Sequence, residues 1–390
     1  MGAPEAIERA VTSVDVRSAS VPTEVSDPIN ARILAVSEDR LPGFVEEPFA
    51  ELAAATELTE ETVVERLRAM LDAGVIRRIR QTLMATNLAP GALVAWRVPG
   101  DRLDAAFEYM FREDPFSGHV VIRSTDAATP GSVYRLWTTL KVPLGFSMER
   151  HCRFLADKVG AEAFRLMPAK RLFALGVGHV RRRGMEPGSR SEEPGRVIDT
   201  NVVELTPLEW TVLTALKREF AIDEIQSHPW RPRAVEAGVS YDEFIGVARS
   251  LHAREVIGRF STFLEHVKPS STGERVTRYN ALFHWRVPPG REIEAGREIG
   301  RHHILTHAYW REGGPEFGNV NVMAVAHGTD KALILEHKAA IDRHLAEEKI
   351  PVLYTNVFWG GRSEIKPSEI SPVAYASWAR GVGLDTTAGA

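Results

Sequence analysis

Three residues at alternating positions, His307, Tyr309 and Arg311, bring an imidazole, a phenol and a guanidinium into one short stretch. They sit within Ile304–Gly328, which reads as two β-strands interrupted by Gly313, Gly314 and Pro315. Residues i, i+2 and i+4 of a strand share one face, so the three side chains are expected to point the same way. A guanidinium fork matches a carboxylate and stays charged, and an imidazole exchanges its proton near neutral pH. The chemistry implied is carboxylate binding coupled to proton delivery. Plainer readings stand beside it. A strand histidine next to a tyrosine also suits a packed pair, His302 and His303 suit a solvated loop, and His327 with Gly328 suits the end of a strand. No carboxylate or further histidine stands at ligand spacing from the 302–307 histidines, so no protein-held metal is expected.

The whole chain bounds these readings. Its 390 residues, 44% hydrophobic and 26% charged, fit a globular protein of two or more domains. A net charge of −4 gives no global polyelectrolyte signal for nucleic acid. The single cysteine, Cys152, excludes an internal disulfide framework and reads as filler on an amphipathic helix. No apolar run reaches the roughly 18 residues of a membrane span and no signal-peptide core is visible, so a cytoplasmic protein without membrane contact is the expectation.

The elements that must position the polar residues repeat along the chain. Ile29–Val36, Pro48–Thr56 and Thr59–Asp72 carry helical patterns, and Val75–Arg80 reads as a strand, which outlines a winged helix-turn-helix. Strand, helix, strand, strand, helix, strand then follow from Ala92 to Ala174, the order of a ferredoxin-like sandwich. The pattern starts again at Thr206, and Trp285-Arg286-Val287-Pro288 repeats Trp96-Arg97-Val98-Pro99. The expected fold is therefore α+β: a tandem duplication whose two sandwiches pair as an internal pseudo-dimer over their uncovered sheet faces. The boundaries follow as a flexible tail (1–26), helix-turn-helix (27–86), ferredoxin-like unit (87–180), linker (181–204), helix-turn-helix (205–277), ferredoxin-like unit (278–365) and C-terminal tail (366–390).

A helix-turn-helix followed by βαββαβ is similar to the Lrp/AsnC family. Ile257-Gly258-Arg259-Phe260 with His266, then Thr306–Arg311, Asn319–Met323 and Ala326–Gly328, resemble the sirohaem decarboxylases of that superfamily, as if two subunits were fused. The resemblance implies removal of CO2 from two acetate side chains of sirohaem, giving didecarboxysirohaem in haem or denitrification-haem biosynthesis. It implies no added cofactor and no metal ligands, with His307 and Tyr309 catalytic. Arg311, Arg259, His266, Asn321, His327, Arg123 and Arg286 would bind the substrate, an iron tetrapyrrole. Haem binding, an imidazole on the tetrapyrrole iron and a further homodimer stay open. In the first half Ile76–Arg80 replaces the Arg-Phe-Gly pattern, the alignment sets Arg123 opposite His307, and Val142-Pro143 stands near the place of the His-Gly pair. The acid–base chemistry is thus expected in the second half only. The insertion Val267–Arg278 reads as a loop that could cover a pocket.

Two other functions compete. One is an Lrp/AsnC-type DNA-binding regulator; the other is a haem or tetrapyrrole sensor without turnover. The first recognition-helix candidate carries Glu60, Glu61, Glu65 and Asp72 against Arg66 and Arg68, and the second balances Asp242 and Glu243 with Arg249 and Arg254. Neither has the cationic surplus that dominates DNA affinity, which argues against DNA as the partner.

Overall fold

The structure, a computed structural model, describes residues 21–175, 184–199, 202–265 and 278–386. His266 and residues 267–277 of the insertion lie outside the described residues.

The first copy opens with α1 (Pro28–Ser37), β1 (Leu41–Pro42), α2 (Pro48–Thr56), α3 (Glu60–Asp72) and β2 (Ile76–Leu83). Thr59 caps α3 by accepting the Thr62 N–H at 3.2 Å, and Val63, Leu67 and Met70 fall on one face and are fully buried. Then come β3 (Gly91–Arg97), α4 (Leu103–Arg112), β4 (Ser117–Ser124), β5 (Leu136–Lys141), α5 (Met148–Val159), β6 (Ala163–Pro168) and β7 (Arg171–Leu175). The second copy repeats the order. Its helix-turn-helix is α6 (Pro207–Lys217), α7 (Trp230–Ala237), α8 (Tyr241–Ala253) and β8 (Ile257–Leu264). Its sandwich is β9 (Tyr279–Arg286), α9 (Glu292–Gly300), β10 (Leu305–Trp310), β11 (Val322–Gly328), α10 (Lys331–Glu347) and β12 (Tyr354–Ile365), with α11 (Pro372–Val382) after it.

The two helix-turn-helix units pair through their wings. β2 runs antiparallel to β8, with Ile76 opposite Leu264 and Arg80 opposite Ser261. One apolar core serves both copies, joining Leu67 and Phe49 to Leu216, Trp230 and Phe260. The N-terminal end of α3, which a DNA reader would present to the major groove, is engaged by the other copy: Ser227 Oγ donates to Glu60 Oε1 at 2.6 Å.

The sandwiches do not remain two separate sheets laid face to face. They form one nine-stranded antiparallel sheet in the order β6-β3-β5-β4-β12-β9-β11-β10-β7. The strand expected to end at Ala174 breaks at Ala169 and Lys170: β6 pairs with β3 of its own half, and β7 crosses to β10 of the other half. β12 does the same in reverse, pairing first with β9 and then with β4. Only two residues separate β6 from β7, so the ends of the sheet are joined by the chain and the sheet curls on itself. Its inner face gathers Ala95, Val121, Trp137 and Met167 from one half with Leu282, Phe317, Met323 and Phe358 from the other. The helices cover the outer face, where α9 and α10 pack on Phe283, Trp285, Ala308 and Ala324.

Two segments read as tails are partly structured. Val25 is buried in the helix-turn-helix core. α11 packs on the first sandwich through Tyr375 and Ala379, and the Tyr375 hydroxyl lies 3.0 Å from Nδ1 of buried His151. Short amphipathic segments of this kind carry a weak periodic signal, which the Pro, Gly and Ser around them obscure. Cys152 is buried in α5, and burial pushes its thiol up. Among the described residues no helix is long and apolar enough to cross a membrane.

Candidate functional site

On β10 the alternation holds. Leu305 and Ala308 pack toward the helices, and His307, Tyr309 and Arg311 form a column on the other face. The His307 and Tyr309 rings lie nearly parallel, 6.0 Å apart at 10°. The Arg311 guanidinium covers the other part of the stack, 4.4 Å from the Tyr309 centroid. Thr306 Oγ1 donates to Val325 O at 3.2 Å and lies 3.0 Å from His307 Nδ1. Its own proton is spent on Val325, so the hydroxyl accepts from His307, which fixes hydrogen on Nδ1 and leaves Nε2 as the exchanging nitrogen. Burial pushes the Tyr309 phenol up, against the opposing pull of Arg311, so the phenol keeps its proton at neutral pH.

Positive charge gathers around this column. Lys141, at the end of β5, is held down to about 8 by burial and by the Arg311 and Arg80 charges. Arg80, on the wing strand β2, is lowered by burial and by Arg78, Arg77 and Arg259 against the opposing pull of Glu219, and its Nε is buried with no hydrogen-bond partner among the described residues. Burial also lowers Arg311. Among the described residues no carboxylate is among the groups that shift Lys141 or Arg311. Guanidinium groups stay protonated, so Arg311 and Arg80 set positive charge beside Lys141, which suits an anion.

The strand registers locate the same column in the first half. Trp96 and Trp285, the repeated tryptophans, pair with Leu136 and Val322, which in turn pair with Ile122 and Trp310. His119, Val121 and Arg123 therefore correspond to His307, Tyr309 and Arg311. A break in register precedes each histidine, between Ser117 and His119 and between Leu305 and His307. The arginines even share a contact across the halves: Arg311 Nη1 donates to Met167 O at 2.6 Å and Arg123 Nη1 reaches Phe358 O at 3.4 Å. The alignment that set Arg123 opposite His307 is thus corrected to His119. It slipped because sequence similarity within a short strand carries no register, whereas ladder pairing does. The halves still differ. Val121 replaces the tyrosine, His119 Nε2 is tied to Ser363 Oγ at 2.8 Å, and Arg123 Nη1 is tied to Asn280 Oδ1 at 3.0 Å. By the same register Lys141, opposite Gly91, corresponds to His327, opposite Asn280.

The structure therefore sorts the sequence-derived residues. His307, Tyr309 and Arg311 come together. Arg259 lies in the wing layer beside Arg80, with Glu38 and Asp39 near it. Arg123 and His327 belong to the first-half counterpart of the column, and Arg286 is exposed at the end of β9. Asn321 is committed elsewhere. Its Oδ1 accepts from Val287 N at 2.9 Å, and its Nδ2 donates to Val287 O at 3.0 Å and Glu292 Oε1 at 3.1 Å, bracing the turn between β9 and α9. Lys141 and His119 were missed in the sequence. Neither stands in a local motif, and only the closed sheet brings Lys141 toward β10.

Comparison with known proteins identifies the domains and the fold. Residues 30–77 match the siroheme decarboxylase NirDL-like HTH domain, and residues 89–174 and 277–358 match the AsnC-like ligand binding domain. The siroheme decarboxylase NirDL subunit of Paracoccus pantotrophus is 25% identical over 312 residues, 80% of this chain and 88% of that protein. The chain thus carries a siroheme decarboxylase NirDL-like HTH domain and AsnC-like ligand binding domains. The siroheme decarboxylase of Hydrogenobacter thermophilus is 32% identical over 81 residues, 20% of this chain and 24% of its own. The siroheme decarboxylase beta subunit of Desulfovibrio desulfuricans is 25% identical over 104 residues, 27% of this chain and 62% of its own. Crystal structures of the siroheme decarboxylase NirDL, alone and in co-complex with an iron-uroporphyrin III analogue, share the fold. Each has a TM-score of 0.62 at 20% identity, and they cover 90% and 91% of this chain and 97% and 98% of their own.

The reassignment of Asn321 has a measurable consequence. Asn321→Ala removes three hydrogen bonds to buried groups and should lower stability by about 3 kcal/mol, at about 1 kcal/mol per bond. A denaturant titration beside the parent protein measures this. A change near zero would return Asn321 to the list of ligand contacts.

Proposed function

We propose that this protein is a cytoplasmic siroheme decarboxylase acting through the His307–Tyr309–Arg311 column. The observation that supports it most is the gathering of Arg311, Lys141 and Arg80 near that column, where no carboxylate among the described residues balances Lys141 or Arg311 and Glu219 offsets Arg80 only in part. Sirohaem carries eight carboxylates, and such a substrate supplies the missing negative charge. Arg311 keeps donors beyond the one given to Met167 O, and these orient a substrate carboxylate. The apolar inner face strips water from the reacting acetate, which favours loss of charge as CO2.

The reaction is redox-neutral. The bond between the acetate methylene and its carboxylate breaks, CO2 leaves, and the bonding electron pair stays on the methylene carbon beside the macrocycle, which delocalises it. One proton then forms the new C–H bond and completes a methyl group. Nε2 of protonated His307 delivers that proton, and Thr306 holds the ring in place through Nδ1. The neutral Tyr309 phenol, stacked on the same ring, orients the imidazole and excludes solvent. Two such rounds consume two protons and release two CO2, and no added cofactor is required. The hydrogen bond from Ser227 to Glu60 and the acidic recognition helix disfavour a DNA regulator.

Incubation of the purified protein with sirohaem under exclusion of oxygen, followed by mass spectrometry, should show two successive losses of CO2. Recovery of unchanged, bound sirohaem would contradict the assignment and favour a sensor.

The pH dependence of binding is set by Lys141. Its ammonium titrates at about 8, so it is charged below that pH and neutral above it. An anionic ligand favours the charged form. Affinity for iron-uroporphyrin III should be flat up to about pH 7.5 and then fall toward tenfold per unit as the ligand must draw in a proton. Absorbance titration measures it. Lys141→Met should bind more weakly and lose this dependence; an unchanged profile in that variant would remove Lys141 from the site.

A further inference from the structure

The outer face of the second sandwich carries a polar cluster that the proposed chemistry does not use. Glu298 comes from α9, and His344 and Glu348 from the C-terminal turn of α10 and its cap. His344 is 1% exposed, and its Nε2 is buried with no hydrogen-bond partner among the described residues. That nitrogen is 3.2 Å from Glu298 Oε2 and 3.7 Å from Glu348 Oε1. The three candidate ligand atoms all lie within 4.8 Å of one another. Zinc bonds of about 2.0–2.1 Å in a tetrahedral site set neighbouring ligand atoms roughly 3.3 Å apart, close to both measured separations.

The other nitrogen of His344 is also arranged for this role. Nδ1 lies 2.8 Å from Nε2 of His302, itself buried. A His344 ligating through Nε2 carries its hydrogen on Nδ1 and gives it to His302, the second hydrogen bond that fixes ring orientation in metal sites. Arg301 Nη1 pairs with Glu298 Oε2 at 2.7 Å, and Arg190 lies near the imidazole. Arg301 holds the Glu298 carboxylate in place and takes only part of its acceptor capacity. The spacing in sequence hides the group, because its carboxylates come from two helices and not from the 302–307 histidines.

We propose that Glu298, His344 and Glu348 hold a divalent transition-metal ion of the zinc class, with a fourth position open to water. One imidazole and two carboxylates form a donor set suited to such ions. The ion would staple the end of α9 to the end of α10. It would also secure the segment after the first sandwich, where Ser189 O accepts from His303 N at 3.1 Å and Ser189 Oγ lies 3.1 Å from His303 Nδ1. The site sits on the helical outer layer and the His307 column faces inward, so the two proposals stand or fall separately.

The test is titration of chelator-treated, full-length protein with zinc by calorimetry, together with its thermal melting curve. One ion per chain is expected, and zinc should raise the melting temperature. Glu348 is half exposed, so Glu348→Gln should keep the fold while weakening zinc binding at least about tenfold and abolishing the thermal gain. His344→Gln should do the same if it folds. Absence of zinc binding to the parent protein, or binding left unchanged by Glu348→Gln, would overturn the proposal.

Discussion

Positive charge held out of water constrains the rest of this fold. Arg311 and Arg80 are brought close enough to depress Lys141, and each close pair of like charges inside a protein repels by up to about 4 kcal/mol. The cost is tolerable only if other interactions fix the groups in place and a ligand of opposite charge relieves them. The fixing contacts are visible. Arg311 is clamped between the Tyr309 ring and the Met167 carbonyl, and Arg80 rests on the Phe263 ring. Under the proposed function the rigid cluster is preorganised for a polyanion, which need not spend its binding energy on assembling the site.

The duplication explains how such a cluster can exist. No single half holds it: Lys141 and Arg80 come from the first copy, and His307, Tyr309 and Arg311 from the second. The crossing of β7 to β10 and of β12 to β4 closes the sheet and brings these contributions together. The same crossing builds a counterpart around His119 and Arg123, whose polar groups are tied to Ser363 and Asn280. Two copies of one unit have diverged into one column with a stacked phenol and one without.

Much of this was legible in the chain. The repeated Trp-Arg-Val-Pro segments and the helix-turn-helix pattern gave the duplication, and period-two alternation placed His307, Tyr309 and Arg311 on one face. What stayed hidden was what only the pairing of distant strands decides. Lys141 ends an ordinary strand and becomes significant when the sheet curls. His119 was passed over because the register of the first half was slipped by four residues, to Arg123. Asn321 looked like a ligand contact because a buried amide and a binding amide are the same residue type; its three hydrogen bonds distinguish them. The helix at Pro372–Val382 was lost among turn-forming residues.

The central claim is that chemistry runs at the column with the stacked phenol. The most direct measurement compares single-turnover decarboxylation of sirohaem by His307→Ala and His119→Ala under exclusion of oxygen. The account predicts that His307→Ala binds the substrate but loses about 10²–10⁴-fold in rate, the usual worth of a positioned proton donor, while His119→Ala stays within a few-fold of the parent. A His307→Ala protein that turns over at the parental rate, or one that His119→Ala matches in its loss, would contradict it.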